Sequence, residues 1–270
     1  MVASPLLGRF ACSLLLLSVL LPSSASAESI DQDIARQICA AQVPLEKLDP
    51  QLQVKVGQVL QQAPLFVRGP VESFPCRPAV YGQLLDNPDW VIHCWRLLGA
   101  CKANILRKQD GTFLGKDNLG SEIHWQPLLL EAGRRIWYVE GKGRPAPLMP
   151  VVHLKAVVLL RFQTVEGDDG RIGIRHRVDM FAQYDGKAVD LLSKLGGMSV
   201  DSAGKKVLDQ VGLFYSGMAW YLSEHPHWGH QVIQTQAQKA GGQDRIAPLL
   251  TELAQASQER PDKPSRRSRP

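Results

Sequence analysis

The clearest pattern in this chain is an alternation of apolar and polar residues between positions 152 and 182. From Val152 to Thr164 the even positions are apolar up to the closing threonine, whereas the odd positions mix apolar and charged residues. After a stretch rich in glycine and aspartate, the even positions from Ile172 to Ala182 are again apolar, with His176 as the exception. A period of two indicates strands with one buried face, so the two segments are predicted to form an antiparallel hairpin.

The register of this hairpin follows from the need to keep both apolar faces together. Even residues must pair with even residues, because a slip by one residue would turn one set to the other side. The simplest register pairs Leu160 with His176, and it places Arg161 opposite Arg175. Like charges directly opposed are unfavourable, so we expect an acidic side chain, solvent or a bound anion to offset them.

Apolar residues at helical spacing flank the strand region on both sides. Ile30, Ile34 and Ile38 form a stripe at i, i+4 and i+8, and a longer run with the same period covers 201–222. The predicted fold class is therefore α+β, with an antiparallel β-meander over about 104–184 packed against N- and C-terminal helices.

The remaining stretches complete the predicted organisation. The proline-rich stretch 63–78 is expected to be a loop, and 187–195 a short helix. The resulting parts are a signal peptide (1–27), an N-terminal helical segment (28–103), the antiparallel sheet with its covering helices (104–230), a polar linker with a C-terminal helix (231–258) and a disordered basic tail (259–270).

The first 27 residues have the pattern of a secretory signal peptide. Arg9 precedes an apolar run from Phe10 to Leu21, Pro22 interrupts the run, and Ala25-Ser26-Ala27 has the small residues that signal peptidase accepts. The run is too short to cross a bilayer. We therefore expect cleavage after Ala27 and export to the periplasm or beyond the cell, with no membrane span in the mature chain.

Charge is concentrated at the end of the chain. The formal net charge is +5 at pH 7, and residues 260–270 contain five basic residues against Asp262 alone. The folded body is then close to neutral, which argues against a nucleic-acid-binding domain. The tail lacks apolar residues and is expected to be disordered, either in contact with acidic envelope polymers or simply as a solubilising segment.

Four cysteines remain after cleavage, and an oxidising compartment favours disulfides. Cys94 and Cys101 are expected on one helix, about 10 Å apart at 1.5 Å per residue, which exceeds the roughly 7 Å that a disulfide spans. This leaves Cys39 and Cys76 bridging to Cys94 and Cys101 in either order, or four buried free thiols. No CxxC occurs, so a thiol oxidoreductase or zinc ribbon is not expected.

Two sets of residues are candidates for binding. Lys155, Arg161, Arg175 and Arg177 share one face of the predicted hairpin and suit carboxylate or phosphate recognition. The alternative is a solvated outer face with ion pairs. His225, His227 and His230 are candidate metal ligands, although Pro226 interrupts the set and a helix end also accounts for it.

Enzyme motifs are absent from the sequence. There is no phosphate loop, HExxH, dinucleotide fingerprint or nucleophile elbow, so no cofactor is expected. The leading hypothesis is an exported noncatalytic module that binds an envelope component or a protein. The alternatives are an exported hydrolase or metal-binding protein that uses the histidine set, and a structural accessory of an envelope complex.

Overall fold

The computed structural model describes residues 27–117, 120–143, 151–167, 170–185, 200–240 and 243–259. Three expectations lie outside these residues: the signal peptide up to residue 26, the short helix over 187–195 and the basic tail from residue 260 onward.

The described chain begins with helices and then enters a sheet. Before the sheet lie α1 (Ala27–Ala40), a 3-10 turn (Leu45–Lys47) and α2 (Pro50–Gln62). The first strand and the two helices that follow it are β1 (Leu65–Pro75), α3 (Pro78–Asp86) and α4 (Pro88–Leu97). The remaining strands are β2 (Asn104–Arg107), β3 (Phe113–Lys116), β4 (Glu122–Glu131), β5 (Arg134–Gly143), β6 (Val152–Glu166) and β7 (Ile172–Tyr184). The last helices are α5 (Val200–Glu224), α6 (Pro226–Ala240) and α7 (Gln243–Glu259).

The seven strands form one sheet in the order β1-β7-β6-β5-β4-β3-β2, and neighbouring strands run antiparallel. N- and C-terminal helices flank this sheet, so the predicted α+β class is confirmed. No helix in the described ranges has the length and apolar character needed to cross a membrane.

The predicted hairpin is β6 and β7, and its parity is confirmed while its register is wrong by two residues. Leu160 pairs with Val178, and Arg161 lies opposite Arg177 rather than Arg175. The strands extend to the pair Glu166 and Ile172, and the loop closes where the backbone N–H of Gly167 donates to the carbonyl of Arg171. Strand β6 therefore continues further toward the turn than the glycine- and aspartate-rich sequence predicted.

The stretch 63–78, expected to be a loop, instead contains strand β1, which pairs with β7 at the edge of the sheet. Pro70 lies in the irregularity between Arg68 and Val71, and Pro75 ends the strand. Prolines at an edge, a bulge or a strand end remove no required ladder hydrogen bond. In the same way, residues 231–240, expected to be a linker, belong to α6 because Ile233 and Ala237 reach the core.

Both faces of the sheet are covered. The even residues of β6, such as Val158 and Leu160, belong to the larger core with side chains from α3 to α7. The odd residues Val157 and Leu159 belong to a second core formed with α1 and α2. The face expected to be mixed and outward is therefore buried in its middle.

The expected disulfides do not form. Cys39, Cys76, Cys94 and Cys101 are not bonded to one another. Cys39 lies in the core on the α1 side of the sheet, whereas Cys76 and Cys94 lie in the core on the opposite side. The sheet separates Cys39 from those two thiols, which sequence spacing alone could not show.

Gly69 provides a test of the close contact between β1 and β7. A Cβ at this position would lie 2.5 Å from the backbone carbonyl oxygen of Val178, whereas a Cβ on Gly57 in α2 would have no atom within 4 Å. We predict that Gly69→Ala lowers the free energy of unfolding by about 1–3 kcal/mol, while Gly57→Ala raises it by about 0.5–1 kcal/mol. Urea denaturation of both variants measures this, and an unchanged midpoint for Gly69→Ala would contradict the packing.

Candidate anion-binding site

A row of arginines crosses three strands on the face that carries α1. Arg134 on β5 is opposite Arg161 on β6, and Arg161 is opposite Arg177 on β7. Adjacent strands are about 4.8 Å apart, so the three side chains emerge side by side. Arg134 is already engaged, since its Nη2 lies 2.6 Å from Glu131 Oε2 and its Nη1 donates to the carbonyl of Gln42.

The acidic side chain expected to offset these charges is Asp179. It is fully buried, and Arg161 Nη2 donates to its Oδ2. Arg68 of β1 pairs with Asp179 across the strands, and its Nε lies 3.9 Å from Asp179 Oδ1. A single carboxylate therefore faces two guanidinium groups, with the Arg177 guanidinium on the neighbouring position of the same face.

The Cys39 thiol of α1 contacts both Asp179 and Arg161. Its Sγ lies 3.5 Å from Asp179 Oδ2 and 3.8 Å from Arg161 Nη2. Burial, and next the charge of Asp179, raise the pKa of Cys39 to about 11. The thiol is therefore protonated near neutral pH and acts as a donor to the carboxylate rather than as a nucleophile.

Three arginines on this face have donors without a hydrogen-bond partner in the described ranges: Arg161, through its buried Nε, Arg175 and Arg177. Arg177 makes no ion pair with any residue in the described ranges, and its Nε is buried without a hydrogen-bond partner there. Arg175 is exposed, and its only hydrogen bond within the same ranges joins its Nε to Ser73 Oγ at 3.3 Å. We call Arg68, Arg161, Arg175 and Arg177 the arginine cluster.

The structure places three of the four predicted binding residues together. Lys155 is the exception, because it is six residues from Arg161 along β6, about 20 Å at 3.3 Å per residue. It pairs instead with Glu140 and Gln183. Arg68 was missed because its strand was expected to be a loop, and no local signal in the sequence links it to β7.

The predicted metal ligands lie at the junction of α5 and α6. His225 is between the helices and exposed, whereas His227 and His230 are in the first turns of α6. In the part of the chain that the structure describes, no group of three His, Cys, Asp or Glu side chains is placed to hold a metal ion. The metal site therefore stays a prediction, without geometry that supports it.

A second polar network lies on the opposite face of the sheet and is centred on the buried His176. Tyr81 of α3 donates its hydroxyl to His176 Nδ1, and His176 Nε2 lies 3.0 Å from Glu72 Oε2. Burial raises the pKa of Tyr81 well above its usual value. Tyr81 and His176 are buried, and the rings of Phe74 and Phe162 pack against Tyr81. The arrangement resembles a hydroxyl–imidazole–carboxylate triad, but the hydroxyl is closed to a substrate.

A cleft of about 460 Å³ lies between α3, β5 and α7, near Gly82, Asp86 and Thr251. Its one arginine is Arg135, which is buried. The Nε and Nη2 atoms of Arg135 lie 2.6 and 3.0 Å from the two carboxylate oxygens of Asp86, and Nη1 donates to backbone carbonyls. This guanidinium is already satisfied, in contrast to that of Arg177.

Comparisons with known proteins do not assign this chain to a family. No protein family model matches the chain, and no curated protein matches it. Among solved structures, a conserved protein from Geobacillus kaustophilus aligns with a TM-score of 0.41 and 11% identity, over 57% of this chain and 95% of its own length. A hypothetical protein from Helicobacter pylori has a TM-score of 0.34, 12% identity and coverage of 58% and 87%, and Ara h 8.0201 has 0.34, 14%, 58% and 97%. Likenesses at this level carry no argument about function.

Arg161 is expected to matter for stability. Arg161→Gln leaves the fully buried carboxylate of Asp179 without its main partner. Removing one member of a buried ion pair costs about 3 kcal/mol, whereas Arg175→Gln, at an exposed position, should change stability by no more than about 0.5 kcal/mol. Urea unfolding of the two variants gives the comparison, and equal stabilities would mean that Asp179 does not depend on Arg161.

His176 should make stability depend on pH. Burial lowers its pKa from 6.5, partly opposed by Glu72. The unfolded chain then binds a proton near pH 6.5 that the folded protein does not. The free energy of unfolding should therefore fall as pH decreases below 6.5, until the lowered pKa of the folded state is passed. His176→Gln should remove this slope, and His227→Gln, at an exposed position, should leave it; chemical denaturation between pH 5 and 8 tests this.

Proposed function

We propose that this chain is an exported, noncatalytic binding module of the bacterial cell envelope, and that it holds an anionic group at the arginine cluster. The observation that carries the proposal is Arg177. Its Nε is buried without a hydrogen-bond partner in the described ranges, next to Arg161 on the same face. A buried donor without a partner is costly, and a bound oxyanion would satisfy it.

The chemistry of the cluster suits a carboxylate, phosphate or sulfate group. A guanidinium offers parallel N–H donors to two oxygens at once. Arg161 and Arg177 are partly buried, and the side chain of Arg161 is 31% exposed. Such groups are screened less by salt than fully exposed lysines are. Asp179, the acid that Arg161 and Arg68 contact, is fully buried beneath them.

The noncatalytic part of the proposal draws on the two polar networks. A hydrolase needs a nucleophile that a substrate can reach. The hydroxyl of Tyr81 is enclosed by aromatic rings, and the Cys39 thiol is protonated and buried. Export is supported by the signal-peptide pattern of residues 1–27.

Retention on a phosphate-bearing resin tests the proposal. The double variant Arg175→Gln/Arg177→Gln removes two guanidinium groups that make no ion pair in the described ranges and keeps the Arg161–Asp179 pair. We predict that it elutes at clearly lower salt than the unmodified chain, with an unchanged melting temperature. Lys155→Gln is the matched control, because it removes one charge from the same face about 20 Å away.

The basic tail is present in all three proteins and therefore cancels in the comparison. Should the double variant elute with the Lys155→Gln control, after allowance for its one additional lost charge, the anion site is not at the arginine cluster.

A further inference from the structure

Helix α1 leaves its most apolar stripe uncovered. The side chains that it buries against the sheet are the small ones of Ala35 and Cys39. Ile34 and Ile38 are 52% and 54% exposed. The stripe that predicted the helix is therefore available to something outside the described chain.

The position of α1 on the sheet shows where this stripe lies. Arg36 packs over the ring of Phe181 and donates to the carbonyl of Ala63. Cys39 contacts Asp179, which precedes Phe181 by two residues on β7. Residues on a helix are about 100° apart, which places Ile34 and Ile38 on the side opposite Arg36. The side of α1 that carries them therefore faces away from Phe181 and toward the Arg177 end of β7.

A third aliphatic side chain adjoins the cluster from the other side. Val71 of β1 is 50% exposed and lies directly opposite Arg177 in the sheet. Exposed aliphatic groups thus border the cationic donors on both sides.

The net charge of this surface indicates the charge of its partner. The cluster has four guanidinium groups. Among the described residues, Arg161 and Arg68 contact the buried carboxylate of Asp179, and the exposed Asp31 shares the Ile34 side of α1. The surface is positive overall, so its partner carries negative charge beside apolar groups.

We propose that this surface docks on a membrane that contains anionic lipids. The arginine cluster binds the headgroup phosphates, and Ile34, Ile38 and Val71 enter the boundary with the acyl chains. Interfacial binding combines these two contributions. The inference rests on the proposed anion site and adds the partner, because a free anion would leave the three aliphatic side chains exposed.

Sedimentation with lipid vesicles tests the inference on the chain from Glu28 to Pro270. One set of vesicles is phosphatidylcholine alone, and the other contains phosphatidylglycerol as well. We expect partitioning at least about tenfold stronger onto the anionic vesicles. Repeating the assay on residues 28–259, which span the described elements apart from Ala27, removes the contribution of the basic tail.

Three variants separate the two proposals. Ile34→Ser/Ile38→Ser should lose vesicle binding and keep its retention on the phosphate resin. Val54→Ser, at an aliphatic position of α2 that is 59% exposed, is the control and should bind vesicles normally. Arg175→Gln/Arg177→Gln should lose both vesicle binding and retention.

Each failure has a distinct meaning. Vesicle binding that is unchanged in Ile34→Ser/Ile38→Ser, or equal on both lipid mixtures, overturns membrane docking. If retention on the resin and its displacement by inorganic phosphate still depend on Arg175 and Arg177, the anion is a soluble one and the proposed function stands. If those arginines affect neither assay, both proposals fail.

Discussion

The buried carboxylate of Asp179 is the constraint on which one whole side of this protein depends. A fully buried charge is tolerated only with a close partner and further donors. Arg161 and Cys39 donate to it, and Arg68 lies close to it. These residues come from β6, α1 and β1, so the same interaction fixes the position of the first helix over the sheet. It also holds the guanidinium of Arg161 in a defined orientation.

Strand β7 carries the polar interactions of both layers. Asp179 points to the α1 side, whereas His176 points to the other side and connects to Tyr81 and Glu72. Each network also engages β1 at the sheet edge, through Arg68 and Glu72. This edge strand contains prolines, and the side-chain pairs add to its backbone pairing with β7. The protein thus joins two cores through one strand, and each core contains a polar network that includes a residue of β7.

The sequence predicted the hairpin and its shared face because side-chain direction alternates along a strand. Arg161 and Arg177 were correctly placed on one face for this reason. The register was wrong by two residues, because the length of a hairpin loop depends on hydrogen bonds that composition does not specify. Arg68, Asp179 and Cys39 could not be brought together from the sequence. They are far apart in the chain, and nothing local indicates that β1 pairs with β7.

Helix α1 shows the same difference between what the sequence predicts and what the tertiary structure decides. Its period was evident from Ile30, Ile34 and Ile38, yet the helix buries Ala35 and Cys39, because small side chains allow a close approach to the polar groups of Arg161 and Asp179. By itself the sequence determined which residues share a face of each element, since that depends only on backbone periodicity. The tertiary structure alone decided which faces are covered and which donors remain free, because both depend on contacts between segments that are remote in the chain.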